Sequence, residues 1–446
     1  MIYILTNVCR LLLAAVFVLS GYVKAIDPLG TQYKIDDYLT AVGLSGYVSE
    51  WMTLFTAIVL AATEFALGIY MLFAIQRRLV SKLLMVLMSV MTLITLWVYF
   101  FNPVKDCGCF GDAIHLTNGQ TLAKNIVLLL AAVAFFNFFI AIMRNQHMVR
   151  FVSKSNQWIV TNYTLLFIIV SSAWCLYTLP LFDFRPYHVG ADLRKGMEIP
   201  PGAKQPQFET TFVLSKNGET REFTLENYPD STWTFVDSKT VQTEEGYVPP
   251  IHDFSIEDPN NGDNITTEVL NRKGYTFLLI SPFLEHADDT NFGAIDQIYE
   301  YAKRHNVPMM CLTASGDAAI SRWQDLTGAE YPFYITDGTT LKTMIRSNPG
   351  LMLIKDGVVI NKWSHNALPQ LKRLDAPLEK QSIGQIDPAS VTARITKVVL
   401  WFVLPLFLLT LADRLWTWTK WIKKQRRRNK LYTLLKIKRR KMRKKI

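Results

Sequence analysis

Cysteine is scarce, with five in 446 residues, which excludes the disulfide framework that staples small secreted domains. Acidic residues are missing altogether from Arg414 to Ile446, where sixteen lysines and arginines stand. The whole chain has a formal charge of +11, so the remainder carries −5. Basicity belongs to the tail, and a nucleic-acid-binding reading of the whole protein is excluded. Apolar sequence, by contrast, is abundant. Hydrophobic residues make up 50% of the chain, too many for an ordinary soluble protein, and several windows exceed the roughly eighteen apolar residues that mark a membrane span.

Six spans are expected: Ile4–Tyr22, Trp51–Phe73, Leu79–Phe101, Leu122–Met143, Trp158–Leu179 and Val398–Trp416. The first twenty-five residues also admit a signal peptide, ending at Val23-Lys24-Ala25. The apolar run brackets Arg10 rather than following it, and further spans come at once, so a retained helix is expected. Arg77, Arg78 and Lys82 follow span two, and Arg144, Arg150 and Lys154 follow span four. With the basic tail, these put both termini and both loops in the cytoplasm. The opposite face, the periplasm of a bacterial inner membrane, then receives Ile26–Glu50, the loop after span three, and Asp183 to about Ser390. Ile26–Glu50, with Pro28-Leu29-Gly30, Tyr33, Tyr38 and Leu39, reads as a short amphipathic helix along the membrane, and no chemistry is assigned to it. Trp416, Trp418 and Trp421 mark an interface, and the tail beyond reads as an anchor on anionic lipid.

The insert is large enough for one good core and a smaller satellite. Asn217-Gly218 between Thr211–Leu214 and Glu222–Leu225 predicts a β-hairpin. From Tyr247 strand alternates with helix. Tyr275–Ser281 and Val307–Thr313 read as strands, and Phe292–Asn306 and Ala318–Leu326 as helices, the first with Ile295, Ile298, Tyr299 and Ala302 on one face. A second hairpin, Leu351–Lys355 with Val358–Trp363, turns at Asp356-Gly357. This is an α/β unit with a mixed sheet.

The densest chemistry is Lys105-Asp106-Cys107-Gly108-Cys109-Phe110-Gly111-Asp112, in a polar loop between two apolar runs. Gly108 permits the tight turn that oxidation of Cys107 and Cys109 to each other requires, and such a ring is strained and easily reduced. Lys105 favours a thiolate, while Asp106 and Asp112 oppose it. Three readings stand: a loop-closing pair without turnover, a metal site adding His115, and redox exchange. Cys175, about one turn from the same face in span five, is a relay candidate or a small buried apolar residue. Cys9 lies about 30 Å away across the hydrocarbon, and Cys311 sits in a core strand. Arg10 and Glu64 are ionisable groups inside spans one and two, about 9 Å and 15 Å from the cytoplasmic edge. An ion pair between them is expected, either structural or serving a quinone or proton role.

Arg10, Phe17, Ser20-Gly21, Lys24, Glu64, Gly68 and Cys107-Gly108-Cys109-Phe110-Gly111 together resemble the DoxX/MauE superfamily, and the cysteine string its methylamine-utilisation branch. The resemblance covers roughly residues 1–145. It implies a four-helix, redox-associated membrane module linked to disulfide formation in a periplasmic dehydrogenase subunit. The insert from Tyr247 to about Leu368 resembles a thioredoxin-like redoxin domain. Val248–Glu257 is similar to that fold's leading strand, and Asn348-Pro349 stands where it carries its cis-proline. Where a redoxin has Cys-x-x-Cys, this chain has Ser281-Pro-Phe-Leu-Glu-His-Ala-Asp288, so that domain cannot exchange dithiols. A hydrolytic substitute built on Ser281 and His286 lacks an acid partner and an oxyanion site.

The expected architecture is an α-helical membrane bundle, a four-helix DoxX-like core plus two further spans, with a periplasmic α/β thioredoxin-like domain. Its parts are residues 1–145, a fifth span with linker (146–182), a small β-rich subdomain (183–246), the degenerate thioredoxin-like domain (247–390), the last span (391–418) and a basic tail (419–446). Two functions remain open. In the first, a membrane thiol–disulfide component, Cys107 and Cys109 exchange electrons with a periplasmic client protein, with quinone as a conceivable acceptor. Gly108, Phe110, Gly111, Arg10, Lys24 and Glu64 support them, Cys175 assists, and Asn348, Pro349, Ser281 and His286 hold the client. The second is a non-enzymatic scaffold whose soluble domain binds a partner.

Overall fold

The computed structural model describes residues 2–104, 107–144, 154–204, 207–216, 219–224, 234–244, 246–369, 376–387 and 391–443. Lys105, Asp106, Arg150 and the Asn217-Gly218 turn lie outside the described residues. The chain divides into two compact units, Met1–Phe184 with Asp387–Ile446, and Arg185–Ile386.

The first unit is helical: α1 (Ile2–Ile26), α2 (Pro28–Ala41), α3 (Glu50–Phe73), α4 (Arg77–Phe101), α5 (Asn118–Arg144), α6 (Lys154–Tyr177) and a C-terminal helix, Val391–Arg443. Six of these, all but α2, are long and apolar enough to cross a membrane. Many of their leucines, phenylalanines and tryptophans face outward, as a lipid-exposed surface requires. The buried side chains form two clusters. Leu13, Phe17, Leu67, Leu84, Leu128 and Phe135 join α1, α3, α4 and α5. Ala25, Phe65, Ile168 and Leu406 join α1 and α3 to α6 and the C-terminal helix. A four-helix core with two added helices is therefore observed. The last helix continues through the basic residues of the tail to Arg443.

Two glycines set the α1–α3 register. A Cβ on Gly21 would lie 2.3 Å from the Phe65 nitrogen, and one on Gly68 2.6 Å from the Val18 nitrogen. The backbones thus touch at two levels, as small residues allow between membrane helices. This register brings Glu64 level with Ser20 and Lys24. Arg10 lies about 20 Å further along α1 at 1.5 Å per residue. α2 starts where Asp27 caps it, accepting from the Gly30 nitrogen with Pro28 in the first turn, a strong start signal. Asn102 ends α4 in the left-handed conformation, which asparagine tolerates better than most residues.

The second unit holds α7 (Leu193–Met197), β1 (Gln207–Lys216), β2 (Glu219–Thr224), β3 (Thr234–Glu244), α8 (Thr266–Asn271), β4 (Tyr275–Ser281), α9 (Phe292–Arg304), β5 (Met309–Thr313), α10 (Asp317–Thr327), β6 (Phe333–Ile335), α11 (Gly338–Met344), β7 (Gly350–Lys355) and β8 (Val358–Ser364). One sheet has the order β2-β1-β3, the other β6-β5-β4-β7-β8. In the larger sheet β4, β5 and β6 are parallel and β7 and β8 antiparallel. Every residue of β4 is buried, as a central strand covered on both faces must be. The β7–β8 turn is the expected one, with Asp356 and Gly357 both at positive φ, the geometry that suits a two-residue hairpin. β1 and β2 pair antiparallel with Lys216 opposite Glu219. Three expectations change. β3, β6, α7, α8 and α11 were not foreseen. α9 buries Tyr301 rather than Tyr299. Val248–Glu257 is not a strand but makes isolated bridges from Glu257, because Pro249 and Pro250 have no N–H to offer a ladder.

Gly21→Ala should lower the thermal unfolding midpoint of the detergent-solubilised protein by an amount equivalent to at least about 1–3 kcal/mol of overpacking. Gly46→Ala, where a Cβ meets nothing within 4 Å, should leave the midpoint unchanged in the same scan.

Candidate dithiol site

The loop between α4 and α5 turns on Gly108 (φ +65°) and Gly111 (φ +52°), conformations that disfavour side chains. The Gly111 nitrogen donates to the Gly108 carbonyl at 3.0 Å. Cys107 and Cys109 are free thiols, both half-buried, with their sulfurs 3.1 Å apart. The pair stands on a buried polar support. The Lys24 ammonium donates to Ser20 Oγ (2.7 Å), Glu64 Oε2 (2.8 Å) and the Cys109 carbonyl (2.5 Å). These three acceptors fill its three N–H donors. Ser20 Oγ lies within donating distance of Glu64 Oε2 (2.7 Å) and of the same carbonyl (2.8 Å). Lys24 and Glu64 are each 6% exposed at the side chain, so the pair is held in a medium where an unpaired charge is costly.

α2 closes the other side. Tyr38 donates its hydroxyl proton to the Cys107 carbonyl at 3.2 Å. The Lys34 stem packs so closely on Gly108 that a Cβ there would lie 2.9 Å from it. From α5, Lys124 Nζ sits 4.4 Å over the buried Phe110 ring, and Asn118 Nδ2 donates to Asn102 Oδ1 and the Val104 carbonyl to close the loop.

The two thiols are unequal. The hydrogen bond between the two sulfurs draws Cys109 below the ordinary cysteine value, and the charges of Lys124 and Lys24 add to this against the opposing effect of burial. The same hydrogen bond and burial push Cys107 up. Cys109 is therefore the more acidic thiol of the pair.

Beneath the loop lies a cavity of about 460 Å³, lined by α1 to α5 and by Cys107, Gly108 and Cys109. Phe17, Leu60, Leu87, Met91, Ile94 and Trp97 make its walls apolar, while Lys24, Glu64, Lys124 and Asn125 supply its polar groups. Asn125 is buried and donates to Thr95 Oγ1 at 3.2 Å.

Of the residues singled out from sequence, Cys107, Gly108, Cys109, Phe110, Gly111, Lys24 and Glu64 converge here. Arg10 does not, for Glu64 pairs with Lys24 instead. The expected depths counted both spans from one edge, whereas the Gly21 and Gly68 contacts fix a different register. Cys175 is buried in α6, and it is not among the residues that line the cavity beside Cys107 and Cys109. Among the described residues no three His, Cys, Asp or Glu side chains group as a metal site. Tyr38, Lys34, Lys124 and Asn125 were missed. The apolar alternation of α2 signalled an amphipathic helix but not what it covers.

In the second unit, Ser281 is buried and donates to Asn348 Oδ1 at 2.6 Å, while Asn348 Nδ2 donates to the Phe283 carbonyl at 2.8 Å. Pro349, after a cis peptide, is buried. Ser347 Oγ lies 2.9 Å from His365 Nδ1, and His365 Nε2 lies 3.5 Å from Asp288. Of the four residues assigned to client binding, only His286 is exposed and Asn348 half-buried. Without thiols to present, the Ser281–Asp288 segment is bonded inward to the Pro349 loop. Ser281 and His286 form no catalytic pair. Cys311 is fully buried, which pushes its thiol up and makes it inert.

Among the described residues, six membrane-length helices and a buried ion pair between two of them that carries a dithiol loop define a multi-pass membrane protein. Residues 2–138, from α1 into α5, match the family model described as Methylamine utilisation protein MauE. Residues 208–245, the region of the three-stranded sheet, match a domain of unknown function (DUF8463). No curated protein matches the chain.

Lys24→Met should destabilise the protein by about 3–5 kcal/mol by leaving Glu64 buried and unpaired. The double variant Lys24→Met/Glu64→Leu should recover part of that in thermal melts. Site-resolved iodoacetamide labelling of the reduced protein should modify Cys109 before Cys107. Because Lys124 stabilises the thiolate, Lys124→Gln should move the labelling midpoint of Cys109 to higher pH, and labelling should fall away as pH drops through that midpoint.

Proposed function

We propose that this protein is a membrane thiol–disulfide exchange component whose Cys107–Cys109 pair oxidises a client protein during its maturation. The observation that carries this reading is the thiol pair 3.1 Å apart, held by Lys24 and Ser20 through the Cys109 carbonyl. The match of residues 2–138 to the family model described as Methylamine utilisation protein MauE supports this reading, since the resemblance to that branch implies disulfide formation in a client. In the oxidised state a client thiolate attacks the Cys107 sulfur, because Cys109 is the better-stabilised leaving thiolate. A mixed disulfide forms as the Cys107–Cys109 bond breaks. The client's second thiolate then attacks the client sulfur of that bond and releases Cys107. The client loses two electrons and two protons, and the pair is left reduced.

The localisation proposed is a bacterial inner membrane with both termini cytoplasmic and the second unit in the periplasm, on the distribution of lysine and arginine. The basic end of the last helix then meets anionic lipid. The first unit is taken as a DoxX/MauE-type four-helix core, and the second as a thioredoxin-like domain. The parallel pair β4–β5, the antiparallel β7 and β8 and the position of Pro349 before β7 support the second assignment. With Ser281 in place of a thiol, that domain binds the client rather than oxidising it, through exposed side chains such as His286 and Phe283. A scaffold without turnover is the second reading, favoured by the inward bonding of Ser281 and Asn348.

Alkylation with a mass-shifting maleimide in intact membranes tests the exchange. Cys107 and Cys109 should cycle between protected and reactive forms, and Cys109→Ser should accumulate a mixed disulfide on Cys107. A pair that never changes redox state, with no adduct trapped by Cys109→Ser or Cys107→Ser, sinks the exchange reading and leaves the scaffold.

A further inference from the structure

A dithiol that oxidises clients must itself be reoxidised, and the cavity below the loop has the chemistry of a site for the oxidant. It is continuous with Cys107, Gly108 and Cys109 at one end and reaches Val16 on α1. That is about 12 Å below the level of Lys24 at 1.5 Å per residue. Its apolar walls come from helices that face hydrocarbon on their other sides, so an occupant from the lipid phase suits it better than a water-soluble one. Its polar groups gather where the dithiol is: Lys24 and Ser20 bonded to the Cys109 carbonyl, Lys124 over Phe110, and Asn125 beside Lys124 on α5. With the Lys24 donors already taken, the Lys124 ammonium and the Asn125 amide are the N–H groups that hold a carbonyl oxygen here, and the positive charges of Lys124 and Lys24 stabilise the negative charge that oxygen gains on reduction. Tyr38 and Trp97, with ring centroids 6.5 Å apart, add flat aromatic surface against which a planar ring packs.

We infer that this cavity binds a membrane quinone, with its ring beside Cys107 and Cys109 and its apolar tail along Phe17, Leu87 and Met91, and that the quinone is the electron acceptor of the dithiol. The assignment rests on the exchange reading above. The step balances. The sulfur–sulfur bond forms as the two thiols give up two electrons and two protons, and the two quinone carbonyls become the two hydroxyls of the hydroquinone. Cys107 supplies one proton directly. The proton already released by the Cys109 thiolate returns to the hydroquinone from solvent. α2 is then the cover of the site, since Thr31, Ile35, Tyr38 and Val42 recur along its inner face and line the cavity.

The full-length protein, reduced, desalted and placed in nanodiscs, is mixed with decylubiquinone. Quinone reduction followed in the ultraviolet should match thiol loss at one quinone for each Cys107–Cys109 pair. The Cys107→Ser/Cys109→Ser variant should still bind decylubiquinone, read by displacement of a spin-labelled quinone, while reducing none. Met91→Trp and, separately, Ile94→Trp fill the cavity and should weaken that binding at least tenfold, with thermal melting used to confirm that each is folded. Binding in the double serine variant no stronger than partition into empty nanodiscs overturns the proposal, and so does binding that folded Met91→Trp and Ile94→Trp proteins both leave intact. The proposal also falls if oxidised glutathione converts the pair to a disulfide and decylubiquinone does not, a result that leaves the exchange reading standing. If neither oxidant converts the pair, the exchange reading fails with it.

Discussion

The ammonium of Lys24 is the point on which the membrane unit depends. A single cation, buried between α1 and α3, divides its three donors among a serine on its own helix, a carboxylate on the next, and a carbonyl of the cysteine loop. Each bond does something different. The one to Ser20 fixes the lysine rotamer, the one to Glu64 neutralises a charge in hydrocarbon, and the one to Cys109 fastens the loop to the bundle. A charge in such a place is tolerated only when every partner is present. The arrangement in turn requires α1 and α3 to approach closely, which Gly21 and Gly68 allow.

The same network tunes the chemistry it supports. Fixing the Cys109 backbone places its sulfur near Lys124 and Lys24, and the hydrogen bond between the sulfurs completes a gradient in which Cys109 is the more acidic. α2 contributes from above through Tyr38 and Lys34. An element that looks peripheral in sequence is thus part of the site, because its apolar face has a cavity to cover rather than lipid to lie on.

The second unit closes the corner between β4 and β7 with polar side chains. Ser281, Asn348, Ser347, His365 and Asp288 link the end of β4 to the loop before β7. Small hydroxyl and amide groups here satisfy one another, as buried polar groups must. The consequence is a packed corner with Phe283 and His286 left outside.

Much of this was legible locally. The six long helices follow from apolar run length, the Asp356-Gly357 hairpin from turn chemistry, and the Cys107-Gly108-Cys109 turn from a glycine between two thiols, since each depends on neighbours a few residues away. β6 and α11 were too short or too polar to leave a periodic signal, and Val248–Glu257 looked like a strand until its two prolines are counted against a ladder. By itself the sequence determined which segments are the long apolar helices and where the paired thiols stand. Only the tertiary structure decided that Glu64 meets Lys24 and not Arg10, that Lys124 and Tyr38 attend the thiols, and that Ser281 bonds to Asn348 in the loop before a buried Pro349. Those outcomes turn on the register between helices and strands far apart in the chain, which backbone contacts such as Gly21 on Phe65 settle and no local pattern encodes.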